Sequence, residues 1–258
     1  MRNLRRFEQE LTSRPESLAA LGPDYAIEGD PEAHKLHGEW IRDVTLGAND
    51  GLVSILTLLA GVAGAASGDI VLLAGIAGLV AGAISMGVGA YVSAKAYRAF
   101  YRKELEREIR EMRELPDIER EEIREIYRRR GFEGDMLEKV VHTITSDPKV
   151  WLKVMMTEEL GLSAQFARPF GAAGVVFVSF IAGGAIPVIP FVFLRGLSAL
   201  GVSIALTTVA LLVAGAVRSR FTGERPLPAG LELVGMAAVG VGVAHLIGRL
   251  VGLSGLVG

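Results

Sequence analysis

Five stretches of the chain are apolar almost without interruption: Val44–Ala66, Ile70–Ala94, Phe170–Phe193, Leu197–Val217 and Leu231–Leu253. Each supplies the roughly 20 helical residues that a hydrocarbon core about 30 Å thick requires. Short polar breaks separate most of them, so the pattern predicts transmembrane helices rather than a soluble helical core. More than forty mostly polar residues precede the first stretch, which argues against a cleaved signal peptide. Between the second and third stretches the pattern inverts. Residues 98–168 hold 15 Lys/Arg and 16 Asp/Glu, of 27 and 29 in the whole chain.

The charged block reads as helices. Arg98–Leu115 is a run of strong helix formers, Pro116-Asp117 breaks it, Ile118–Arg130 resumes it and Gly131 stops it. Met136–Thr145 forms a third segment that ends at Ser146-Asp147-Pro148, and Lys149–Gly161 forms a fourth. The expected fold class is therefore all-α: a polytopic membrane protein with five transmembrane helices and a cytoplasmic helical insert between helices 2 and 3. The divisions are residues 1–38, an amino-terminal cytoplasmic segment; 39–97, helices 1 and 2; 98–168, the insert; and 169–258, helices 3 to 5. Pro187 and Pro190 are expected to kink the end of the third span.

Basic residues near the spans set the orientation. Arg2, Arg5, Arg6, Lys35 and Arg42 precede the first span, the insert is dense in arginine, and Arg218, Arg220 and Arg225 lie between the fourth and fifth. The turn at Ser67-Gly68-Asp69 has no basic residue, and the turn between spans three and four has Arg195 alone. The amino terminus, the insert and the last loop are thus expected in the cytoplasm, and the carboxyl terminus outside. Glycines four apart, as in Gly78–Gly82 and Gly248–Gly252, allow close helix approach, within one subunit or between two.

Composition narrows the chemistry. The chain is 50% hydrophobic with mean hydropathy +0.39, which excludes disorder. It has no cysteine, which excludes disulfides, thiolate metal sites and a cysteine nucleophile. A net charge of -2, with bases interleaved among acids, gives no case for nucleic acid. There is no phosphate-loop motif, so no nucleotide partner and no ATP-driven pump, and nothing indicates an enzyme or a prosthetic group.

The candidate chemistry lies in carboxylates. Glu39, Asp43 and Asp50 are spaced by four and seven, which places them within about 40° of one another on a helix and makes an acidic stripe leading into the first span. Asp50 falls about 9 Å inside the apolar stretch at 1.5 Å per residue. An unpaired Asp at mid-membrane costs roughly 2.5–3.5 kcal/mol on insertion scales, so it should face protein or water. For Asp43, an electrostatic role at the positive end of the helix is an equal alternative. Met86, in the antiparallel second span, has a depth near 12 Å by the same rise and can meet Asp50. Carboxylate with thioether suits a transition metal better than Na+ or Mg2+, although a lone methionine is also ordinary packing.

In the insert, Glu108 and Glu111 are three apart, as are Glu119 and Glu122, with the Pro116 break between the pairs. Antiparallel packing across that break would bring the pairs together, and Met155 and Glu159, four apart, could join them. The alternative is a surface of salt bridges. His34 and His37 read as interfacial, while His142 and His245 are isolated.

Three segments carry a resemblance: Arg42-Asp-Val-Thr-Leu-Gly-Ala-Asn-Asp-Gly-Leu52, Ile84-Ser-Met-Gly-Val-Gly-Ala-Tyr-Val-Ser-Ala-Lys95 and Trp151-Leu-Lys-Val-Met-Met-Thr-Glu-Glu-Leu-Gly161. In order and spacing they resemble the vacuolar iron transporter family, from about Glu39 onward. The resemblance implies a homodimer in the lipid bilayer, with an ion path between subunits lined by the first two helices of each. It implies exchange of Fe2+, and of other divalent metals such as Mn2+, Co2+ and Zn2+, for protons. By the same resemblance Asp50 and Met86 match pore ligands, and Glu39 and Asp43 match the cytoplasmic mouth. Glu108, Glu111, Glu119, Glu122, Met155 and Glu159 match a cytoplasmic metal-binding domain. Ala90 departs from the glutamate that many bacterial relatives carry before Tyr-Val-Ser, and the first thirty residues match nothing in the family. The expected function is proton-coupled antiport of ferrous iron out of the cytoplasm, with a membrane-anchored metal sensor or storage module as the alternative. The expected location is a prokaryotic cell membrane, or the vacuolar membrane in a eukaryote.

Overall fold

A computed structural model describes residues 33–66, 68–162 and 168–254. The described chain is all-α, with eight α-helices and one π-helical turn: α1 Ala33–Ala65, α2 Asp69–Glu114, α3 Pro116–Arg129, α4 Gly134–Ser146, α5 Pro148–Val154, the π turn Met155–Glu159, α6 Pro169–Phe193, α7 Gly196–Thr222 and α8 Pro226–Leu253. Five of these, α1, α2, α6, α7 and α8, are long and apolar enough to cross a membrane.

The second apolar stretch and the first insert helix form one continuous helix of 46 residues. At 1.5 Å per residue it is about 69 Å long, more than twice the hydrocarbon thickness, so it must extend beyond the apolar layer. Residues 95–98, Lys-Ala-Tyr-Arg, hold no glycine or proline that would end it. The chain clusters into two compact units, and one division between them falls inside α2 at Ala94. Pro187 and Pro190 both lie inside α6, where a proline ring removes an intrahelical donor. The buried Ser203 hydroxyl of α7 donates to the Pro187 carbonyl at 2.7 Å.

The membrane unit is built on close backbone contact. A Cβ added at Gly51 of α1 would lie 2.3 Å from the Phe180 carbonyl oxygen of α6, and one at Gly183 would lie 2.2 Å from that of Ala48. Towards the other end of α1, a Cβ at Gly248 of α8 would lie 1.9 Å from the Gly61 carbonyl oxygen. Leu59 packs on Gly75 and Leu58 on Gly78, which sets α2 antiparallel against α1. Ile55, Leu59, Ala60, Phe180, Val188 and Ala199 fill the core between these contacts.

The insert unit is closed by amphipathic stripes. Leu105 and Met112 from α2, Ile123 from α3, and Leu137, Val141 and Ile144 from α4 surround Trp151, Met155 and Met156. Gly131, at φ +93°, supplies the left-handed turn after α3 that an L side chain resists. The Asp147 side chain caps α5 by accepting from the Lys149 N–H at 2.9 Å.

A methyl group at Gly248 must displace backbone, whereas Gly242 of the same helix faces open space. Gly248→Ala should therefore destabilise the detergent-solubilised protein by about 1–3 kcal/mol. Gly242→Ala should leave the melting temperature unchanged or slightly raised. Thermal unfolding followed by size-exclusion chromatography distinguishes the two.

Candidate metal centre

The insert carboxylates occupy positions that helix geometry reserves for the core. Glu108 sits on the α2 stripe of Leu105 and Met112, and Glu119 is one turn before Ile123 on α3. Both are consequently buried, at 1% and 3% exposure. Glu159, at the exposed end of the π turn, completes a group in which carboxylate oxygens of all three lie within 4.8 Å of one another. Two oxygens bound at about 2.1 Å to one ion can be at most about 4.2 Å apart, so the group is close to the size that one cation needs.

These oxygens lack the hydrogen bonds that burial ordinarily demands. Neither oxygen of Glu108 nor Oε2 of Glu119 has a hydrogen-bond partner. The nearest counter-charge is Arg107, whose guanidinium is 3.0 Å from Glu104, 3.3 Å from Glu111 and 3.6 Å from Glu108. The last distance is too long for a hydrogen bond. Burial, then Glu159 and Glu111, pushes Glu108 up to about 7 against the opposing pull of Arg107. Burial, then Glu122 and Glu108, pushes Glu119 up to about 8. The packing around the Glu159 carboxyl, followed by the nearby charge of Glu122, raises that group as well. Glu108 and Glu119 thus favour their protonated forms, and the three carboxyls together are a donor set that can hold a divalent cation.

The structure thus brings Glu108, Glu119 and Glu159 together, with Glu111 and Glu122 close enough to act on them electrostatically. Met155 opens the turn that Glu159 closes, fully buried in the apolar core. The helix expected over Lys149–Gly161 is interrupted by this π turn, in which the Leu160 N–H reaches the Met155 carbonyl. Arg107 and the buried Glu104 escaped the sequence reading, although their spacing of three, and that of four between Arg107 and Glu111, is the usual ion-pair signal.

In the membrane unit, Asp50 is half-buried on α1, and the Ser54 hydroxyl donates to its main-chain carbonyl. Met86 is half-buried on α2 beside the core of Leu59, Ala83 and Phe180. The register of Leu59 on Gly75 and Leu58 on Gly78 sets Asp50 level with residues 84 to 86 of α2. Asp43 is buried at 8% exposure and pairs with Arg42 at 3.2 Å. Glu39 lies on α1, but its side chain, like those of His34 and His37, is outside the described residues. His142 is exposed, whereas the half-buried His245 contacts α1.

A family model described as the VIT family matches residues 41–249. The chain is 38% identical to vacuolar iron transporter 1 of Oryza sativa subsp. japonica, over 91% of this chain and 94% of the relative. It is 36% identical to vacuolar iron transporter 1 of Arabidopsis thaliana, over 85% and 89%. A vacuolar iron transporter of Toxoplasma gondii is 30% identical, over 83% and 75%.

The raised carboxyls fix the sign of the pH dependence. Their folded values lie above the ordinary glutamate value, so they favour the metal-free fold most below about pH 4.5 and lose that contribution as pH rises through 7 to 8. The melting temperature of the metal-free protein should fall between pH 5 and 8, with Fe2+ or Mn2+ restoring it most strongly at the alkaline end. Glu108→Gln should flatten the metal-free profile and weaken binding by at least about tenfold, as read by thermal shift under anaerobic conditions.

Proposed function

The chain belongs to the VIT family, and from that premise we propose that this multi-pass membrane protein carries Fe2+ out of the cytoplasm in exchange for protons. The observation that carries the reading is an ionisable side chain, Asp50, half-buried on an apolar helix and level with the thioether of Met86 on the helix beside it. Within one chain both side chains are only partly covered, which suits a path completed by a second copy of the subunit. A homodimer would place two carboxylates and two thioethers around one ion, a donor set that also accommodates Mn2+, Co2+ and Zn2+.

The charge distribution favours an insert on the cytoplasmic side, with the amino terminus and the Arg218–Arg225 loop. The insert carboxylates then collect the ion, Glu39 and Asp43 attract it to the mouth, and Asp50 with Met86 holds it in the bilayer. Each carboxylate binds either a proton or the metal. Ion movement one way and proton movement the other therefore compete for the same oxygens. Transport needs no bond-making chemistry, which fits a protein that is not an enzyme.

Reconstituted vesicles with an internal pH reporter test the scheme. Asp50→Ala should reduce Fe2+ flux and the coupled proton flux together by more than about tenfold, while metal binding by the insert persists. Native Fe2+ flux with matched proton movement in that variant would overturn the scheme. Removal of residues 98–168 with a joining linker should slow transport at low Fe2+ but leave flux at high Fe2+. Flux absent from every version of the chain would favour a sensor or storage role.

A further inference from the structure

The half of the bundle beyond Asp50 carries polar groups that the proposed path does not use. Thr57 is seven residues after Asp50, so it continues the Asp43–Asp50 stripe along the same face of α1. Its Oγ1 is buried without a hydrogen-bond partner, and a Cβ added at Gly240 of α8 would lie 3.1 Å from it. One turn further on, His245 of α8 places Nδ1 3.0 Å from the main-chain carbonyl of Ala60. Backbone contact holds the ring there, because a Cβ at Gly64 would lie 2.7 Å from the His245 carbonyl oxygen.

This hydrogen bond decides the chemistry of the ring. A carbonyl oxygen only accepts, so Nδ1 carries the hydrogen and the lone pair of the neutral imidazole is on Nε2. From this geometry we infer that His245 is the group that takes up protons from the far side of the membrane and delivers them, through Thr57 and intervening water, to Asp50. The step is a proton transfer alone: Nε2 accepts a proton from water on the far side and releases it towards the Asp50 carboxylate. Ala60 is ten residues from Asp50, about 15 Å along the helix, so a carboxylate at Asp50 cannot itself meet far-side protons without such an intermediate.

The surroundings leave His245 as the titratable group suited to this task. Residues 51–65 of α1 and the whole of α6 contain no ionisable side chain, and residues 70–94 of α2 carry Tyr91 alone, towards the end of the span nearer the insert. On α8, Arg249 is one turn further on, and Glu232, towards the other end, is paired with Arg218 of α7 at 3.0 Å. Arg220 is near that same end of α7, and Arg195, just before α7, pairs with Asp69 at the start of α2. Arginine does not release its proton at these pH values, whereas imidazole is the side chain whose ordinary equilibrium falls between about pH 5 and 8.

The inference rests on the proton-exchange reading, and the test separates the two. Wild-type protein and His245→Asn are reconstituted at fixed internal Fe2+, and far-side pH is varied from 7.5 to 5.5. The asparagine amide can still donate to the Ala60 carbonyl but cannot carry a proton. Wild-type flux should rise on acidification, and His245→Asn should lose at least about three-quarters of that rise, while keeping its melting temperature and its Fe2+ affinity. A wild-type pH profile in His245→Asn overturns the inference alone. Wild-type flux indifferent to the proton gradient overturns the exchange reading and the inference together. Should the variant not fold, nitrogen NMR of 15N-histidine protein with His34, His37 and His142 replaced by Gln reads the same point. Nε2 should gain a proton on acidification while Nδ1 keeps its own, and an Nε2 that never changes state overturns the assignment.

Discussion

A carboxylate removed from water must find a counter-charge, a hydrogen bond or a proton. Glu108 and Glu119 are placed by helix periodicity among Leu105, Met112 and Ile123, where water is excluded and hydrogen-bond donors are scarce. Arg107 cannot neutralise them, since Glu104 and Glu111 are nearer to its guanidinium. Protons therefore fill the role near neutral pH, and a divalent cation can replace them. The insert core is packed so as to leave that exchange open: Trp151, Met155 and Met156 support the trio without donating to it.

The same constraint acts on Asp50, with lipid in place of an apolar core. Its helix is held by contacts that leave little freedom, because Gly47 and Gly51 bring α1 to the backbone of α6, while Gly61 and Gly64 bring it to α8. Small residues at these contacts allow close approach where there is no hydrophobic drive between helices in lipid. Docking on α6 sets the rotation of α1, and its Asp50 face meets α8 further along, at Thr57, Gly61 and Gly64. A carboxylate that must be neither buried unpaired nor exposed to lipid thus depends on glycines that never touch an ion.

Much of this was legible in the sequence because it is local. The apolar spans, the helix-forming insert and the breaks at Pro116 and Pro148 follow from composition and periodicity, and the acidic stripe follows from a spacing of four and seven. The continuity of α2 was not drawn from the change in polarity near residue 95, yet a helix responds to backbone propensity and not to solvent. The π turn at Met155–Glu159 was illegible, since Met-Met-Thr-Glu-Glu has ordinary helical character and only packing of Met155 and Met156 into the insert core selects the wider turn. Nor could spacing alone separate Glu108, Glu119 and Glu159 from the many glutamates that pair with arginine at the surface, such as Glu121, Glu125 and Glu138. Burial separates them, and burial is a property of the assembled insert.

Burial without compensation also accounts for oxygen and thioether as the proposed ligands. A site fully satisfied by protein donors would gain nothing from an ion, and one built from thiolates would hold a transition metal too firmly for transit. Carboxyls that hold protons near pH 7 bind weakly enough to release what they take up. Their affinity then follows the pH on the side they face. On the proposed exchange reading, a chain with carboxyls in its insert and a further one inside its apolar bundle needs no nucleotide to set a direction. A difference in proton concentration between the two sides is sufficient, provided that protons can reach the intramembrane carboxylate. That access is the remaining physical requirement, and among the described residues the Ala60–His245 contact is the feature best placed to meet it.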